Sequence, residues 1–150
     1  MSSVFSASSG LRRLVLRAAV VVALGLGAMA RASLSPQPEV VPAREAWRLA
    51  EKEAAQRVNC EVLIGRGDSM LPVYRDRTVL VVQSMEMDEL QPGMTVVFFG
   101  DSGRPVAHTL VSKTARGWVV AGANNASPDR TLVRRSNYIG TVVRAFVPAS

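Results

Sequence analysis

Cysteine, histidine and lysine are scarce in this chain, and each scarcity narrows the chemistry that it can perform. The single cysteine, Cys60, excludes an intramolecular disulfide and any multi-cysteine metal site, so we expect no metal ion. We expect Cys60 itself to be a small buried residue at the start of a strand. The nitrogen bases that could activate a nucleophile are limited to one histidine, His108, and two lysines, Lys52 and Lys113.

Acidic residues are missing from the N-terminal part of the chain, where no Asp or Glu precedes Glu39. Four of the 18 basic residues lie in residues 1–32, so the remainder holds 14 basic and 12 acidic residues, a net charge of +2 against +6 for the whole chain. The basic excess therefore belongs mainly to the N-terminus. A nucleic-acid partner is not indicated, because no basic surface is expected on the folded part.

Residues 1–32 are typical of a targeting segment. Arginines precede the uncharged apolar run 18–30, and the tripeptides 28–30 and 30–32 both fit a small-x-small cleavage pattern. The run is shorter than the roughly 20 residues that span a bilayer. A cleaved signal peptide and a retained single-pass membrane anchor both stay open. In either case the positive end should stay cytoplasmic, with residues 33–150 on the extracytoplasmic side.

Residues 33–59 are predicted to be a linker followed by one amphipathic helix from Pro42 to Val58, ended at Asn59. Its apolar stripe comprises Ala43, Ala46, Trp47, Ala50, Ala54 and Val58. Residues 60–148 then alternate apolar runs with turn formers, which predicts strands at 62–64, 79–82, 94–99, 106–113, 118–121 and 138–147. The fold class expected is mainly β: a small antiparallel sheet or partial barrel.

Ser69 lies in a constrained bend between the first two of these strands. Glycines at 65 and 67 and a proline at 72 break regular structure there. A serine held on a rigid turn between buried strands is placed as a nucleophile would be. The alternative is an ordinary polar loop residue.

His108 is the best candidate for the base that a serine nucleophile needs. Lys52 lies on the predicted helix, before the sheet. Lys113 shares a strand with His108, but an odd offset of five residues sends the two side chains to opposite faces of a regular strand. The alternative for His108 is a core histidine on an apolar strand.

Three stretches together resemble the signal peptidase I family, in its endoplasmic-reticulum and archaeal form with a histidine base. They are 67–72 (Gly-Asp-Ser-Met-Leu-Pro), 106–111 (Val-Ala-His-Thr-Leu-Val) and 122–130 (Gly-Ala-Asn-Asn-Ala-Ser-Pro-Asp-Arg). The last strand, 138–143, is also similar. The likeness covers about residues 60–147, and the first stretch also resembles the related self-cleaving repressors.

The resemblance implies a catalytic set of Ser69 as nucleophile, His108 as general base and Asp129 as the group that orients the imidazole. A carboxylate on one ring nitrogen fixes the tautomer and frees the other nitrogen to accept the serine proton. The alternative for Asp129 is a turn residue or an ion-pair partner for Arg130. Such a mechanism requires no cofactor.

Ser69, Met70, Asn124 and Asn125 are the candidate oxyanion and substrate-binding residues. The two asparagines have an alternative as a tight turn, and a mixed role, in which the turn positions the loop near the site, is favoured.

Three positions depart from the family pattern. Gly67 stands where the family usually has a serine that lends a hydroxyl to the oxyanion hole, and Ala123 replaces an acidic residue of the last stretch. Asp68 resembles the repressors more than the signal peptidases. Its carboxylate should point outward, since an inward one would repel the oxyanion.

The expected function is that of an export-side serine endopeptidase acting on a preprotein substrate at or near a membrane. The substrate would bind as an added strand beside the Ser69 and His108 segments. Two alternatives remain: a non-catalytic peptide-binding domain on the same fold, and a self-cleaving repressor-type peptidase, which would need a DNA-binding helix-turn-helix upstream.

Overall fold

The computed structural model describes residues 34–150, so the predicted signal peptide or anchor at residues 1–32 lies outside the described part. The elements in chain order are β1 (Glu39–Val41), α1 (Ala43–Ala55), β2 (Cys60–Ile64), β3 (Val79–Gln83), β4 (Thr95–Phe99), β5 (Pro105–Thr114), β6 (Gly117–Ala121) and β7 (Tyr138–Pro148). The prediction of a mainly β fold with one preceding helix is confirmed. None of the helical structure in residues 34–150 is long and apolar enough to cross a membrane.

All seven strands belong to one sheet with the order β2-β3-β7-β4-β5-β6, and β1 pairs with β7. Every pairing is antiparallel except that of β1 with β7. One edge of β7 pairs with β3, while its other edge pairs first with β4 and then, over Phe146–Pro148, with β1. The long last strand therefore joins a β2-β3 hairpin to a β4-β5-β6 meander.

The strand β1 lies in a segment that the sequence predicted to be a linker, and that prediction is wrong for residues 39–41. The preceding residues are also fixed to the rest of the fold. Ser35 donates a buried hydrogen bond from Oγ to the Gly93 carbonyl at 2.9 Å, and the Tyr74 hydroxyl donates to the Pro36 carbonyl at 2.8 Å. Three residues between prolines carry too little periodicity to predict a strand, because its stability comes from the partner strand.

Helix α1 ends at Ala55, three residues before the predicted end, and Asn59 takes a positive φ of 55° beyond it. Its buried face consists of Ala46 and Ala50, with Leu49 and Ala54 packed beside them. The predicted stripe is therefore only partly correct. Trp47 is 42% exposed and donates its Nε1–H to Glu51, and Val58 is 75% exposed. At 100° per residue the sheet covers positions 46, 50 and 54, and Trp47 lies at the rim of that face.

Three hydrophobic clusters hold the fold together. The first lies beneath the bend that carries Ser69 and includes Met70, Leu80 and Val97. The second packs β4, β5 and β6 around Phe98 and Leu110. The third packs α1 on β3 and β7, with Cys60 half-buried against it. Full burial of a Val, Leu, Phe or Met side chain contributes about 1.5–3 kcal/mol to the free energy of folding. The bend and β5 are therefore anchored by adjoining hydrophobic clusters rather than by loop contacts.

Candidate active site

Ser69, His108 and Asp129 form a continuous hydrogen-bonded chain. His108 Nε2 lies 3.1 Å from Ser69 Oγ, and His108 Nδ1 lies 2.6 Å from Asp129 Oδ2. A carboxylate accepts only, so Nδ1–H donates to Asp129 and Nε2 accepts the Ser69 hydroxyl proton. The Ser69–His108 distance is within the reach expected of a nucleophile and its base. The arrangement is that of a Ser-His-Asp triad.

Strand pairing places His108 at the edge of the second cluster. Its partner on β4 is Val96, and the Phe98 ring lies edge-on with centroids 6.2 Å apart. The His108 side chain is 8% exposed and that of Asp129 is 19% exposed. Because burial keeps water from the imidazole, the Asp129 carboxylate provides the hydrogen-bond partner that water would provide at the surface.

The loop after β6 holds Asp129 in place by contacts with the bend that carries the nucleophile. The Asn124 N–H donates to the Ser69 carbonyl at 2.8 Å, and the Asp129 N–H donates to the Val120 carbonyl at 2.8 Å. A Cβ on Gly122 would lie 2.7 Å from the Ser69 carbonyl oxygen, so only glycine permits this approach. Asp129 forms no ion pair with Arg130. The loop therefore aligns the acid and the nucleophile through backbone contacts.

Asn124 and Asn125 act in the structure through their backbones. Both residues are exposed, and Asn125 N–H donates to the Gly122 carbonyl in a turn. Neither side chain hydrogen-bonds to Ser69 or His108 in the described residues, so their part in substrate binding stays a prediction. Met70 is buried in the first cluster and also lines the cleft beside Ser69.

The bend that carries the nucleophile is braced at several points. The Gly67 N–H donates to Asp76 Oδ1 at 2.9 Å, a contact that no sequence pattern indicated. Gly67 has a φ of 83°, and a Cβ there would meet nothing within 4 Å, so space is open but the backbone disfavours a side chain. Asp68 is exposed. The Ser69 N–H has no acceptor within residues 34–150 and stays available as an oxyanion donor.

The prediction that the side chains of Lys113 and His108 lie on opposite faces of their strand is wrong. A register shift between Leu110 and Ser112 leaves Val111 unpaired as a bulge, so Lys113 pairs with Trp118 on the face that Leu110 shares with Val120. A bulge resets the alternation of side chains. Lys113 is nevertheless remote from Ser69, since its Nζ lies 3.6 Å from Asp88 and 5.8 Å from the Trp118 ring centroid. It also lies five residues, roughly 15 Å, along the strand from His108.

A cleft of about 540 Å³ opens directly beside Ser69. One wall is the end of β2 and the start of the bend, Leu63–Gly67, and the other is the start of β5 with Arg104 before it. Its floor is apolar and comes from the first cluster. The cleft can therefore take an extended chain with at least one apolar side chain directed inward.

Within residues 34–150 no group of three or more His, Cys, Asp or Glu residues is placed to hold a metal ion. Burial raises the pKa of the Cys60 thiol, with Arg57 opposing, and so disfavours the thiolate. No protein-family model matches the chain, and no curated protein matches it.

Proposed function

We propose that the protein is a serine endopeptidase of the signal-peptidase type, which cleaves exported or membrane-tethered polypeptides through an acyl-enzyme. The observation that carries this proposal is the chain of hydrogen bonds from Asp129 through His108 to Ser69, at 2.6 and 3.1 Å. The N-terminal pattern of residues 1–32 supports an export-side location.

Each step has a residue that can perform it. Ser69 Oγ attacks the scissile carbonyl while its proton passes to His108 Nε2, and Asp129 stabilises the imidazolium through Nδ1–H. His108 then gives the proton to the leaving amine. A water molecule, deprotonated by the same nitrogen, hydrolyses the ester and restores Ser69.

The oxyanion of the tetrahedral intermediate would be held by the Ser69 N–H. Gly67 supplies no hydroxyl at the position where the family provides one, and loss of one such donor typically costs about 2.7–4 kcal/mol of transition-state stabilisation. The open space beside Gly67 leaves room for a water molecule or a substrate group to act as the second donor. Because such a donor is not preorganised as a fixed hydroxyl is, a slow enzyme is expected.

The substrate backbone would pair with two free strand edges. β2 is an end strand of the sheet, and residues 105–108 of β5 pair only with β4, because pairing with β6 begins at Thr109. These two edges form the walls of the cleft beside Ser69. An extended peptide laid between them gains backbone hydrogen bonds and presents its scissile bond to the nucleophile.

The test is cleavage of a preprotein by the full-length chain in detergent, with Ser69→Ala, His108→Ala and Lys113→Ala beside the wild type. We expect the first two variants to lose nearly all turnover and Lys113→Ala to keep it, because Lys113 Nζ binds Asp88 away from the site. Lys113→Ala is the matched control, since it removes a base from the same strand. Cleavage that survives Ser69→Ala, or that is lost with Lys113→Ala, would overturn the proposal.

Gly67 favours one alternative, a non-catalytic domain that binds peptides in the same cleft. Labelling by a fluorophosphonate separates the two functions, because only an activated serine reacts with it. A domain that binds peptides equally well with and without Ser69 Oγ, and that resists labelling, has the binding function alone.

A further inference from the structure

We infer that the cleft selects peptides in which an apolar side chain is accompanied by a carboxylate, and that Arg66 and Arg104 read this carboxylate. The inference rests on the proposed function and adds a substrate class to it. It derives from the contrast between the floor of the cleft and its rim.

The floor is apolar and offers no charge. Met70, Leu80, Val97 and Ala107 line it. Tyr74 also lines it, but its hydroxyl donates to the Pro36 carbonyl and is therefore already paired. A polar side chain directed into this floor would lose its hydrogen bonds to water without replacement, so an aliphatic or other apolar side chain is favoured.

The rim, in contrast, carries positive charge from both walls. Arg66 follows β2 and Arg104 precedes β5, and both line the cleft and are exposed. Neither forms an ion pair in residues 34–150, although six other such pairs occur there. A third arginine of the lining, Arg75, donates to the Pro148 carbonyl.

Within residues 34–150, no carboxylate lines the cleft to neutralise these arginines. Asp76, in the same bend as Arg66, accepts from the Gly67 N–H, and Asp101, in the same loop as Arg104, accepts from the Thr131 hydroxyl. Asp68 is exposed outside the lining. Two arginines without an ion-pair partner in residues 34–150 therefore line opposite walls of the cleft in which a peptide would lie between the strand edges. A guanidinium matches a carboxylate in charge and in its two parallel N–H donors.

The experiment compares peptides of one sequence that differ by a single Glu or Gln, placed in turn at four positions before and two positions after the scissile bond. At one or more positions the wild type should cleave the Glu peptide with a higher kcat/KM, by about 1.4- to fivefold per arginine engaged, the range of exposed ion pairs. Arg66→Glu with Arg104→Glu should reverse the preference towards a Lys peptide. Arg116→Glu, in the turn between β5 and β6, is the control for net charge, and we expect it to leave the preference unchanged.

Binding of the same peptides to Ser69→Ala, measured by fluorescence anisotropy, separates this inference from the proposed function. If no peptide is cleaved but Ser69→Ala still prefers Glu peptides, the catalytic proposal fails and the specificity survives. If Glu and Gln peptides are cleaved and bound equally at every position, the inference is overturned and the catalytic proposal stands. Binding to anionic vesicles that depends on both arginines, with no peptide preference, would assign them to a membrane surface and also overturn it.

Discussion

Replacing Asp129 by Asn is the most informative single change, because it keeps the shape of the side chain and alters what it offers to His108. In the wild type the carboxylate can only accept, and at 2.6 Å it holds the proton on Nδ1. An amide can either accept from Nδ1–H through oxygen or donate to Nδ1 through nitrogen. The second arrangement puts the ring proton on Nε2, which then cannot take the Ser69 proton.

The size of the effect follows from how firmly the amide would be held. In enzymes where the amide orientation is fixed, the same change lowers kcat by about 10⁴. Here the side chain of Asp129 is 19% exposed, and Oδ2 to His108 is its one side-chain hydrogen bond in residues 34–150. Since no second partner selects the wrong amide orientation, we expect a smaller loss in kcat, roughly 10²–10³-fold, than the loss in enzymes that hold the amide in one orientation.

The assay can read both rate and tautomer because the chain has a single histidine. Labelling histidine with ¹⁵N gives ring signals of His108 alone, and at a pH where the ring is neutral these distinguish Nδ1–H from Nε2–H. We expect Nδ1–H in the wild type and a mixture in Asp129→Asn, together with the loss in kcat. A wild type that carries the proton on Nε2, or a variant with unchanged tautomer and full activity, would refute the reasoning.

Two further predictions concern the support of the site. Gly122→Ala should lower kcat at least tenfold with a small change in melting temperature, because its Cβ would lie 2.7 Å from the Ser69 carbonyl oxygen and force the exposed loop away from the nucleophile. An unchanged kcat would show that the loop contact is dispensable. Tyr74→Phe should destabilise the protein at pH 7 by about 1 kcal/mol through loss of the hydroxyl hydrogen bond to Pro36. Burial raises the pKa of Tyr74, so above about pH 10 the unfolded state releases a proton that the folded state keeps. The free energy of unfolding should therefore fall as pH rises beyond this value, and fall less steeply in Tyr74→Phe; equal slopes in denaturant titrations at pH 9 to 11 would contradict this.

Much of the sheet could be predicted from sequence because its strands are short apolar runs between glycines and prolines. The central residues of these runs, Val81, Val97 and Val120, are buried on β3, β4 and β6, as their composition indicates. The bend between β2 and β3 was equally visible, since Gly65 and Gly67 mark it. The approach of Ser69, His108 and Asp129, in contrast, was expected from the resemblance of three stretches and not from periodicity.

What the sequence could not predict depends on partners distant in the chain. β1 is a strand only because β7 offers an edge at Phe146–Pro148. The bulge at Val111 arises from the register in which β5 pairs with β6, and it breaks the strict alternation of side chains along β5. That Arg66 has no ion-pair partner in residues 34–150 likewise depends on which acidic residues the fold brings near it, which local sequence does not encode.

The position of β7 has a consequence for when the proposed catalytic site can form. Ser69 lies in the bend between β2 and β3, on one side of β7, and His108 lies on β5, on the other side. Among the described residues, β7 is the last strand in chain order. A chain synthesised only as far as β6 has both groups but lacks the strand that joins the two sides. On the proposed function, cleavage activity should therefore arise only after residues up to about 147 are available for pairing. The same dependence predicts slow folding, since the contacts that β7 makes join residues far apart in sequence.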